Sequence, residues 1–303
     1  MNVLLTGAAG LIGMAVRPAL ESRGHRVIAS DVTSFGHPIP DPTFVTFDDM
    51  AGFERLIGQH KVDAIVHCGA ISGPMMAKGE PLKLVAVNID ATAALLDLAR
   101  RHAMRRFVFC SSISVYGDVG AATITEDTPL KPTSVYGATK VACEQLIQGF
   151  VAEYGLEGVS LRIGRVYGPY RRANCHLKTL IDDAEAGRPT AIPCDPAFIY
   201  HYVYVDDVAE AIAVALEAPR LPQRVYNVGS GEALTMPALL DQAAVALPSL
   251  RASLVPGEDD VPDVQTRFDV SAITRDLRWS PRFDMRAGFA AYRKAVLAGQ
   301  AAP

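Results

Sequence analysis

A short apolar run that ends in a glycine-rich turn and leads straight into a helical pattern restricts the fold of this chain most strongly. Residues 2–6 predict the first strand, and apolar residues at helical spacing over residues 11–22 predict the first helix. The alternation then repeats, with strands predicted at 26–30, 63–68, 106–111 and 159–163 and helices at 88–102 and 136–153. Strands that alternate with helices in this way predict an α/β fold with a doubly wound parallel sheet.

The glycine turn predicts a binding site for a dinucleotide. Gly7, Gly10 and Gly13 have the spacing G-x-x-G-x-x-G, and with Leu11 and Ile12 they open the first helix. Small residues there let backbone amides and the helix N-terminus approach a pyrophosphate. A tight turn with close packing would select the same glycines without any ligand, but the position between the first strand and the first helix favours the dinucleotide.

Asp31 indicates which dinucleotide is bound. It ends the second predicted strand, about 20 residues after the glycine turn, where a carboxylate can accept hydrogen bonds from both hydroxyls of the adenosine ribose. No Arg or Lys follows it in residues 32–34 to neutralise a 2′-phosphate. We therefore predict NAD rather than NADP as the cofactor, although a turn-capping role for Asp31 is the alternative.

The strand–helix rhythm becomes less regular past the midpoint of the chain. Pro and Gly punctuate shorter elements from Val166 onward, although a helix is still predicted over 204–217 and a strand over 224–228. We predict a Rossmann-type NAD-binding domain over residues 1–165 and a smaller substrate lobe over 166–303. Segments near 200–230 are expected to return to the first domain.

Composition argues against several classes of function. The net charge is −4 and forms no basic stripe, so nucleic-acid binding is not expected. The five cysteines are widely spaced and never form a C-x-x-C pair, which predicts reduced thiols and no metal site. The apolar N-terminus lacks a basic leader and reaches Arg17 before it could span a membrane, which favours a cytoplasmic enzyme.

Tyr136 and Lys140 are candidates for proton chemistry because their spacing puts them one turn apart on one face of a predicted helix. The unperturbed pKa of a phenol is about 10, but a neighbouring ammonium group and an oxidised nicotinamide both favour the phenolate. Such a pair also occurs by chance on protein surfaces. It gains weight here from Ser111 and Ser112 at the carboxyl end of a predicted parallel strand, where open α/β sheets place their ligand sites.

Further motifs accompany the glycine turn and the Tyr-x-x-x-Lys pair along the whole chain. They are Asp48-Asp49, Asn88-Ile89-Asp90-Ala91-Thr92, Arg162, Val166-Tyr167-Gly168-Pro169, Val203-Tyr204-Val205-Asp206-Asp207-Val208, Tyr226-Asn227-Val228-Gly229-Ser230-Gly231 and Leu277-Arg278-Trp279-Ser280-Pro281. On these residues the chain resembles the extended short-chain dehydrogenase/reductase family, in its NAD-dependent epimerase/dehydratase branch.

The resemblance implies specific roles for the candidate residues. Tyr136 would be the acid/base, Lys140 would hold the nicotinamide ribose and lower the pKa of the tyrosine, and Ser112 would bind the reacting oxygen. It also implies a homodimer paired through the helices at 88–102 and 136–153, for which core packing is the alternative. The remaining cofactor contacts that it implies are Asp48 and Asp49 near the adenine, Asn88 on the nicotinamide side, Gly69, Ala70 and Ser111.

The residues after Ser112 narrow the reaction. Dehydratases and decarboxylases of this family carry acidic residues where this chain has Ile113 and Ser114, and neither side chain exchanges a proton usefully. A dehydrogenase, which releases an oxidised product, and an epimerase, which returns the hydride, both remain. A regulator that binds NAD(P) without catalysis is the further alternative, but such proteins commonly lose the Tyr or the Lys.

The positions expected to bind a substrate diphosphate depart from the family's pattern. Tyr200 and His201 replace an Arg-Asp pair, and Val255 replaces a second Arg, so the bidentate clamps for a buried diphosphate are missing. Arg165 replaces a substrate-side Asn, and Arg171 and Arg172 follow it; surface salt bridges or a solvated loop are the alternative roles for these arginines. A small carbohydrate or sugar-acid substrate is therefore expected, and a UDP-hexose 4-epimerase is the alternative. The substrate contacts predicted are Ser72, Ser112, Arg165, Tyr200 and His201.

Overall fold

The computed structural model describes residues 1–36, 42–73, 76, 79–120, 122–171, 175–257 and 263–299. Its strands are β1 Asn2–Thr6, β2 Arg26–Asp31, β3 Thr43–Phe44, β4 Ala64–His67, β5 Arg106–Ser112, β6 Gly158–Ile163, β7 Arg165–Tyr167, β8 Thr190–Pro193, β9 Ile199–Tyr200, β10 Tyr202–Tyr204, β11 Val225–Val228, β12 Leu234–Thr235 and β13 Ala252–Val255. Its helices are α1 Leu11–Ser22, α2 Met50–His60, α3 Pro81–Val85, α4 Ala91–Arg101, α5 Val135–Tyr154, α6 His176–Glu185, α7 Val205–Glu217, α8 Met236–Ala246, α9 Ser271–Leu277 and α10 Met285–Leu297.

Seven of these strands form one sheet with the order β3-β2-β1-β4-β5-β6-β11. All the strand pairs in it are parallel. The order reverses between β1 and β4, and ligands of open α/β sheets bind at the carboxyl ends of the strands beside such a reversal. The predicted α/β fold with a doubly wound parallel sheet is confirmed.

Helices cover both faces of the sheet. On one face α1 and α7 pack against each other and bury Val16 and Ile212 over the strands. On the other face α2, α4 and α5 bury Phe53, Leu95 and Ile147. These apolar residues recur at helical spacing, which explains why each helix presents one continuous face to the sheet.

The later part of the chain adds a second layer of structure beside the carboxyl edge of the sheet. It contains three two-stranded sheets, β7 with β10, β9 with β12, and β8 with β13. A separate core around Leu180, Leu239 and Phe289 joins them to α6, α8 and α10. Because β11 pairs with β6 and α7 packs beside α1, residues 205–228 contribute to the sheet layer. The division of the chain at residue 165 stays a prediction.

Two local features differ from what the sequence pattern predicted. The helix expected from residue 88 begins as an α-helix only at Ala91, because Ala86–Asp90 forms a π-helical turn. The elements β3 and α2 lie in a stretch for which no element was predicted, although Phe53, Leu56 and Ile57 have helical spacing and are buried. All five cysteines are free thiols.

Within the described ranges no helix combines the length and the apolar character needed to cross a bilayer. The cytoplasmic location of the protein stays a prediction.

Candidate active site

A single continuous cavity of about 910 Å³ runs along the carboxyl edge of the sheet. Its wall includes Gly7 after β1, Asp31 at the end of β2, Ser112 at the end of β5, Tyr136 on α5 and Arg165 on β7. Its volume lies at the upper end of the range of about 300–1,000 Å³ that is usual for ligand sites. Residues predicted from separate parts of the sequence therefore line one space large enough for a dinucleotide beside a second ligand.

Close backbone contacts make the glycines of the turn necessary. Gly7 has a φ of +68°, and a Cβ atom there would lie 2.5 Å from the backbone nitrogen of Gly69 on the neighbouring strand end. A Cβ atom on Gly13 would lie 2.2 Å from the carbonyl oxygen of Gly7. The amide of Gly10 donates to that same oxygen at 3.0 Å. The turn is thus closed against both β4 and α1, and its backbone is brought to the cavity wall.

The N-terminus of α1 opens onto the cavity through Leu11, Ile12 and Gly13. The amide of Met14 makes the first α-helical hydrogen bond, to Gly10, so the amides before it have no intrahelical acceptor. The first turn contains no acidic side chain that would compensate the positive end of the helix dipole. An anion such as a pyrophosphate fits this site.

The carboxylate of Asp31 is buried, and both of its oxygens accept backbone hydrogen bonds. The amide of Ala9 in the glycine turn donates to Oδ2 at 2.8 Å, and the amide of Val32 donates to Oδ1 at 2.7 Å. A carboxylate has about four acceptor sites, so each oxygen can still accept from a ribose hydroxyl. Asp31 thus holds the turn and presents negative charge to the cavity, which fits the diol of NAD and repels a 2′-phosphate.

Apolar side chains that no sequence motif indicated line the cavity near Asp31. Val32, Phe35 and Phe47 belong to this wall, and a Cβ on Gly69 would lie 2.8 Å from the ring of Phe47. The only feature of the sequence that could have indicated Phe47 is its position directly before the Asp48-Asp49 motif. Those two carboxylates do not line the cavity, since Asp48 is exposed and Asp49 caps α2 by accepting from the amide of Gly52. Their contact with adenine stays a prediction.

The ammonium group of Lys140 is fixed beside the phenol of Tyr136. Its Nζ donates to the carbonyl of Cys110 on β5 at 2.8 Å. It also lies 4.6 Å from the ring centroid of Phe109 and 5.8 Å from that of Tyr136. Lys140 is buried just below the cavity wall, whereas Tyr136 lines the cavity. The one-turn spacing read from the sequence therefore places both groups at the same point of the site.

The two serines at the end of β5 differ in what their hydroxyl groups can do. The hydroxyl of Ser111 donates to Glu144 Oε1 at 2.5 Å, so its only hydrogen is used. The Oγ of Ser112 accepts from the amide of Ser114 at 3.2 Å, which leaves its hydrogen for a ligand. Both residues line the cavity, but Ser112 is the one equipped to donate to a substrate oxygen.

A buried ion pair lies beneath these serines. Arg162 Nη2 and Glu144 Oε2 are 2.7 Å apart, and both side chains are almost fully buried. Arg162 Nη1 also donates to the hydroxyl of Tyr116 at 2.9 Å, and that hydroxyl donates to Asn227 Oδ1 at 2.6 Å. Burial raises the pKa of Tyr116 to about 12, so it stays a neutral donor. The network joins α5 to β6, β11 and the segment that follows β5.

Asn88 reaches the site through a loop rather than directly. Its side chain accepts from the amide of Ile71 at 2.9 Å and donates to the carbonyl of Ile71 at 3.2 Å and to Thr139 Oγ1 at 3.1 Å. This holds the loop of Gly69, Ala70 and Ser72, which all line the cavity. The π-helical turn aims Asn88 at that loop. Asn88 itself lies behind the wall.

His67 lies in the core next to the site. Its Nδ1 is 2.6 Å from Thr6 Oγ1, and its Nε2 is 3.0 Å from Thr92 Oγ1. Thr92 donates its only hydroxyl hydrogen to the carbonyl of Asn88, so it must accept from Nε2–H of His67. Burial, helped by the nearby Lys140 charge, lowers the pKa of His67 to about 3. The imidazole is therefore a neutral structural group.

Beyond Ser112 the cavity is walled by residues of the later part of the chain. Arg165 lines it with its guanidinium carbon 5.6 Å from the ring centroid of Phe198 and 5.2 Å from that of Tyr200. Tyr200 does not line the cavity but lies buried against Arg165, so it can affect a ligand only through that side chain. Arg171 lines the cavity and donates to the carbonyl of Val166 at 2.6 Å. Arg172 lies outside the described residues.

His201, Gln265 and Asp263 complete this wall, and all three are buried. Gln265 Nε2 donates to the carbonyls of Ile113 and Gly117, so its amide hydrogens are engaged and its oxygen remains an acceptor. Asp263 accepts from the hydroxyl of Thr133. Gln265 and Asp263 were not predicted, because they follow β13 and carry no motif that links them to the cavity.

A doubly wound sheet with a glycine turn, an acidic residue after β2 and a Tyr-x-x-x-Lys pair at the carboxyl edge defines an NAD-dependent oxidoreductase of the short-chain dehydrogenase/reductase type. The model of the NAD dependent epimerase/dehydratase family matches residues 3–229. The chain belongs to this family and is an NAD-dependent enzyme, as the sequence predicted.

Known relatives span most of the chain. A UDP-glucose 4-epimerase of Corynebacterium glutamicum is 30% identical over 253 residues, which cover 77% of this chain and 76% of that protein. A dTDP-glucose 4,6-dehydratase of Xanthomonas campestris is 30% identical over 318 residues, which cover 95% and 90%. The structure of a Thermotoga maritima UDP-glucose 4-epimerase with UDP-glucose superposes with a TM-score of 0.89 at 25% identity over 99% of both chains. The structure of a Thermus thermophilus UDP-glucose 4-epimerase with NAD superposes with a TM-score of 0.87 at 28% identity, over 97% of this chain and 98% of that chain.

Proposed function

We propose that this enzyme transfers a hydride between NAD and a hydroxyl-bearing or keto carbon of a sugar or sugar acid, with Tyr136, Lys140 and Ser112 as its catalytic residues. One observation carries the proposal. Tyr136 and Ser112 line the same cavity as the glycine turn, and the hydroxyl hydrogen of Ser112 is left for a ligand. A substrate oxygen between these two side chains would lie where two halves of the cavity meet. The cofactor half is lined by the glycine turn and Asp31, and the substrate half is lined by Arg165 and His201.

The chain's own groups account for the proton chemistry. NAD, when bound, supplies the hydride acceptor. Ser112 donates a hydrogen bond to the substrate oxygen, and Tyr136 takes its proton as the carbon is oxidised or returns it in the reverse direction. The ammonium of Lys140 stabilises the phenolate. Only one of its hydrogens is used by Cys110, which leaves two for the ribose of the cofactor.

A nucleotide-sugar 4-epimerase is the second candidate. Relatives of this chain are UDP-glucose 4-epimerases, and the Thermotoga structure contains UDP-glucose. The proton chemistry would be the same, with the hydride returned to the same carbon. Elimination of water is disfavoured because Ile113 and Ser114 line the cavity next to Ser112 and cannot act as its acid and base.

We also propose a homodimer that pairs through α4 and α5. Support comes from two exposed apolar side chains close to this face, Leu82 on α3 and Val135 at the start of α5. The helices α3 and α5 that carry them pack against each other. Light scattering after gel filtration tests the assembly. A monomer at micromolar concentration would contradict it.

The test of the proposed reaction is NADH formation from NAD across free sugars, sugar acids and UDP-sugars. With its substrate the wild type should form NADH in large excess over enzyme, and Tyr136→Phe should lose about a hundredfold or more of this rate. Tyr170→Phe removes a phenol oxygen from the same cavity and is the matched control, with activity expected near that of the wild type. Full activity of Tyr136→Phe would overturn the proposal. A UDP-sugar isomer without net NADH would select the epimerase.

A further inference from the structure

His201 is a buried polar group on the cavity wall, close to several backbone groups of the protein. It is 4% exposed, and among the described residues neither ring nitrogen makes a hydrogen bond of normal geometry. One face of the ring packs near Phe268, with the centroids 6.0 Å apart. A buried imidazole without hydrogen bonds costs stability unless a ligand supplies them. The arrangement indicates that His201 binds part of the substrate.

The backbone fixes His201 next to Arg165. The amide of Arg165 donates to the carbonyl of His201 at 2.7 Å, and a Cβ on the intervening Gly164 would lie 2.6 Å from that oxygen. The guanidinium is held against the rings of Phe198 and Tyr200 and lines the same cavity. Cation and imidazole therefore form one recognition surface, with Arg165 on β7 and His201 between β9 and β10.

The chemistry of this surface suits a hydroxyl group beside a carboxylate. Burial lowers the pKa of His201 to about 4, and the charge of Arg165 adds to this shift. The nearby backbone groups of Gln265, Glu232 and Thr266 oppose it in part. A neutral imidazole has one donor and one acceptor, which is what a hydroxyl group needs. It adds no positive charge of its own to this surface. Arg165 supplies the cation that a carboxylate requires.

Building on the proposed function, we infer that His201 and Arg165 select a free polyhydroxy carboxylic acid as the substrate. Arg165 binds the carboxylate, and His201 binds a hydroxyl on the carbon next to it. Gln265 offers a further acceptor through its carboxamide oxygen. The reacting hydroxyl then lies further along the chain of the acid, at Ser112 and Tyr136. His201 is thus a specificity residue and takes no part in proton transfer.

Binding to the NADH-loaded enzyme tests this inference, because no oxidation can occur in that complex. The probes are D-gluconate, D-galactonate, their 2-deoxy analogues, D-glucose and UDP-glucose, titrated by calorimetry. The wild type should bind an aldonate about tenfold more tightly than its 2-deoxy analogue, which lacks the hydroxyl beside the carboxylate. It should bind D-glucose far more weakly than D-gluconate.

Three variants assign the effect to the two side chains. His201→Phe keeps the ring packing and should bind the aldonate and its 2-deoxy analogue equally, whereas His201→Gln, which retains a donor and an acceptor, should restore part of the preference. Arg165→Met should lower the affinity for the aldonate about tenfold to a hundredfold and leave the affinity for D-glucose unchanged. The affinity for NADH in each variant should equal that of the wild type, which checks that the fold is intact.

The inference is overturned if His201→Phe still distinguishes the two acids, if neither aldonate binds, or if UDP-glucose binds and the aldonates do not. Its failure is separable from that of the proposed function. An inactive Tyr136→Phe together with unchanged acid binding in the His201 variants would remove only this inference. An active Tyr136→Phe would remove the proposed mechanism, whatever binds at His201.

Discussion

The two halves of the cavity recognise their ligands by different means. In the cofactor half the backbone forms the site, through the glycine turn, the start of α1 and one carboxylate that holds them in place. In the other half side chains form it, from β7, β10 and the segment after β13. The cofactor half is therefore tied to the fold, whereas the substrate half can be altered without changing it. The difference would allow a chain to keep the cofactor of its family while the residues proposed here to bind its substrate depart from the family's pattern.

The largest effect should come from the buried ion pair that lies beneath both halves. Glu144→Gln leaves the guanidinium of Arg162 buried without its charge partner, which should cost about 3–5 kcal/mol in the free energy of unfolding. Glu153→Gln, on the exposed side of the same helix, is the control and should cost almost nothing. Urea unfolding followed by circular dichroism measures both. A stable Glu144→Gln protein that lost only sugar binding would show that the network serves one half alone.

A methyl group in the glycine turn should damage only the cofactor half. Gly13→Ala places a Cβ against the carbonyl of Gly7, and overpacking of about 3 kcal/mol corresponds to about a hundredfold weaker binding of NAD. Gly149→Ala, within α5 and facing open space, should bind NAD normally and gain some stability. Calorimetric titration of NAD gives both affinities. Equal NAD affinity in the two variants would refute a backbone-built cofactor site.

The charge of Asp31 should set the choice of cofactor. Asp31→Asn keeps the size of the side chain but weakens its hydrogen bonds to the ribose, so NAD should bind about tenfold more weakly and NADP should be rejected less. Asp241→Asn, at an exposed position on α8 outside the cavity, is the comparison. The ratio of the rates with NAD and NADP is the readout. An unchanged ratio in Asp31→Asn would mean that another group excludes the 2′-phosphate.

The effect that is smallest at neutral pH is a dependence of stability on pH, which involves both halves. Burial holds the pKa of His67 at about 3 and that of His201 at about 4, below the value of about 6.5 for an unfolded chain. Between these values the unfolded state binds more protons, so stability is complete above about pH 7 and falls as the pH is lowered towards 4. Each histidine contributes at most about 1.4 kcal/mol per pH unit.

The variant His201→Phe checks this assignment. Its free energy of unfolding should fall less steeply between pH 6 and pH 4 than that of the wild type, as measured by urea unfolding at a series of pH values. An identical slope in His201→Phe would mean that the imidazole of His201 is protonated to the same extent in the folded and the unfolded protein between pH 6 and pH 4.

The sequence predicted the cofactor half well because each part of it is local in the chain. The glycine spacing, Asp31 and the Tyr136–Lys140 pair each lie within one or two consecutive elements, and the order of the elements determines where those elements meet. Asn88 was also identified, but the sequence did not show that it acts by holding the loop at Ile71. That detail depends on a π-helical turn, which has no signature in the apolar spacing.

The substrate half was predicted only in part, because its residues converge from distant segments. Arg165 and His201 were identified as departures from a family pattern, whereas Gln265 and Asp263 reach the cavity from a stretch without any motif. Tyr200 was predicted to contact the substrate but lies behind Arg165. Tyr200 ends β9 and packs against Arg165, whereas the next residue, His201, lies between the strands and lines the cavity.

A crystal structure of the complex with NADH and D-gluconate tests the central claim most directly. The ribose hydroxyls of the adenosine should lie within hydrogen-bond distance of Asp31, the nicotinamide should lie beside Tyr136, and the carboxylate of the acid should contact Arg165. A complex in which the acid binds away from Ser112 and Tyr136, or in which the cofactor leaves the glycine turn, would contradict a single cavity with a backbone-built and a side-chain-built half.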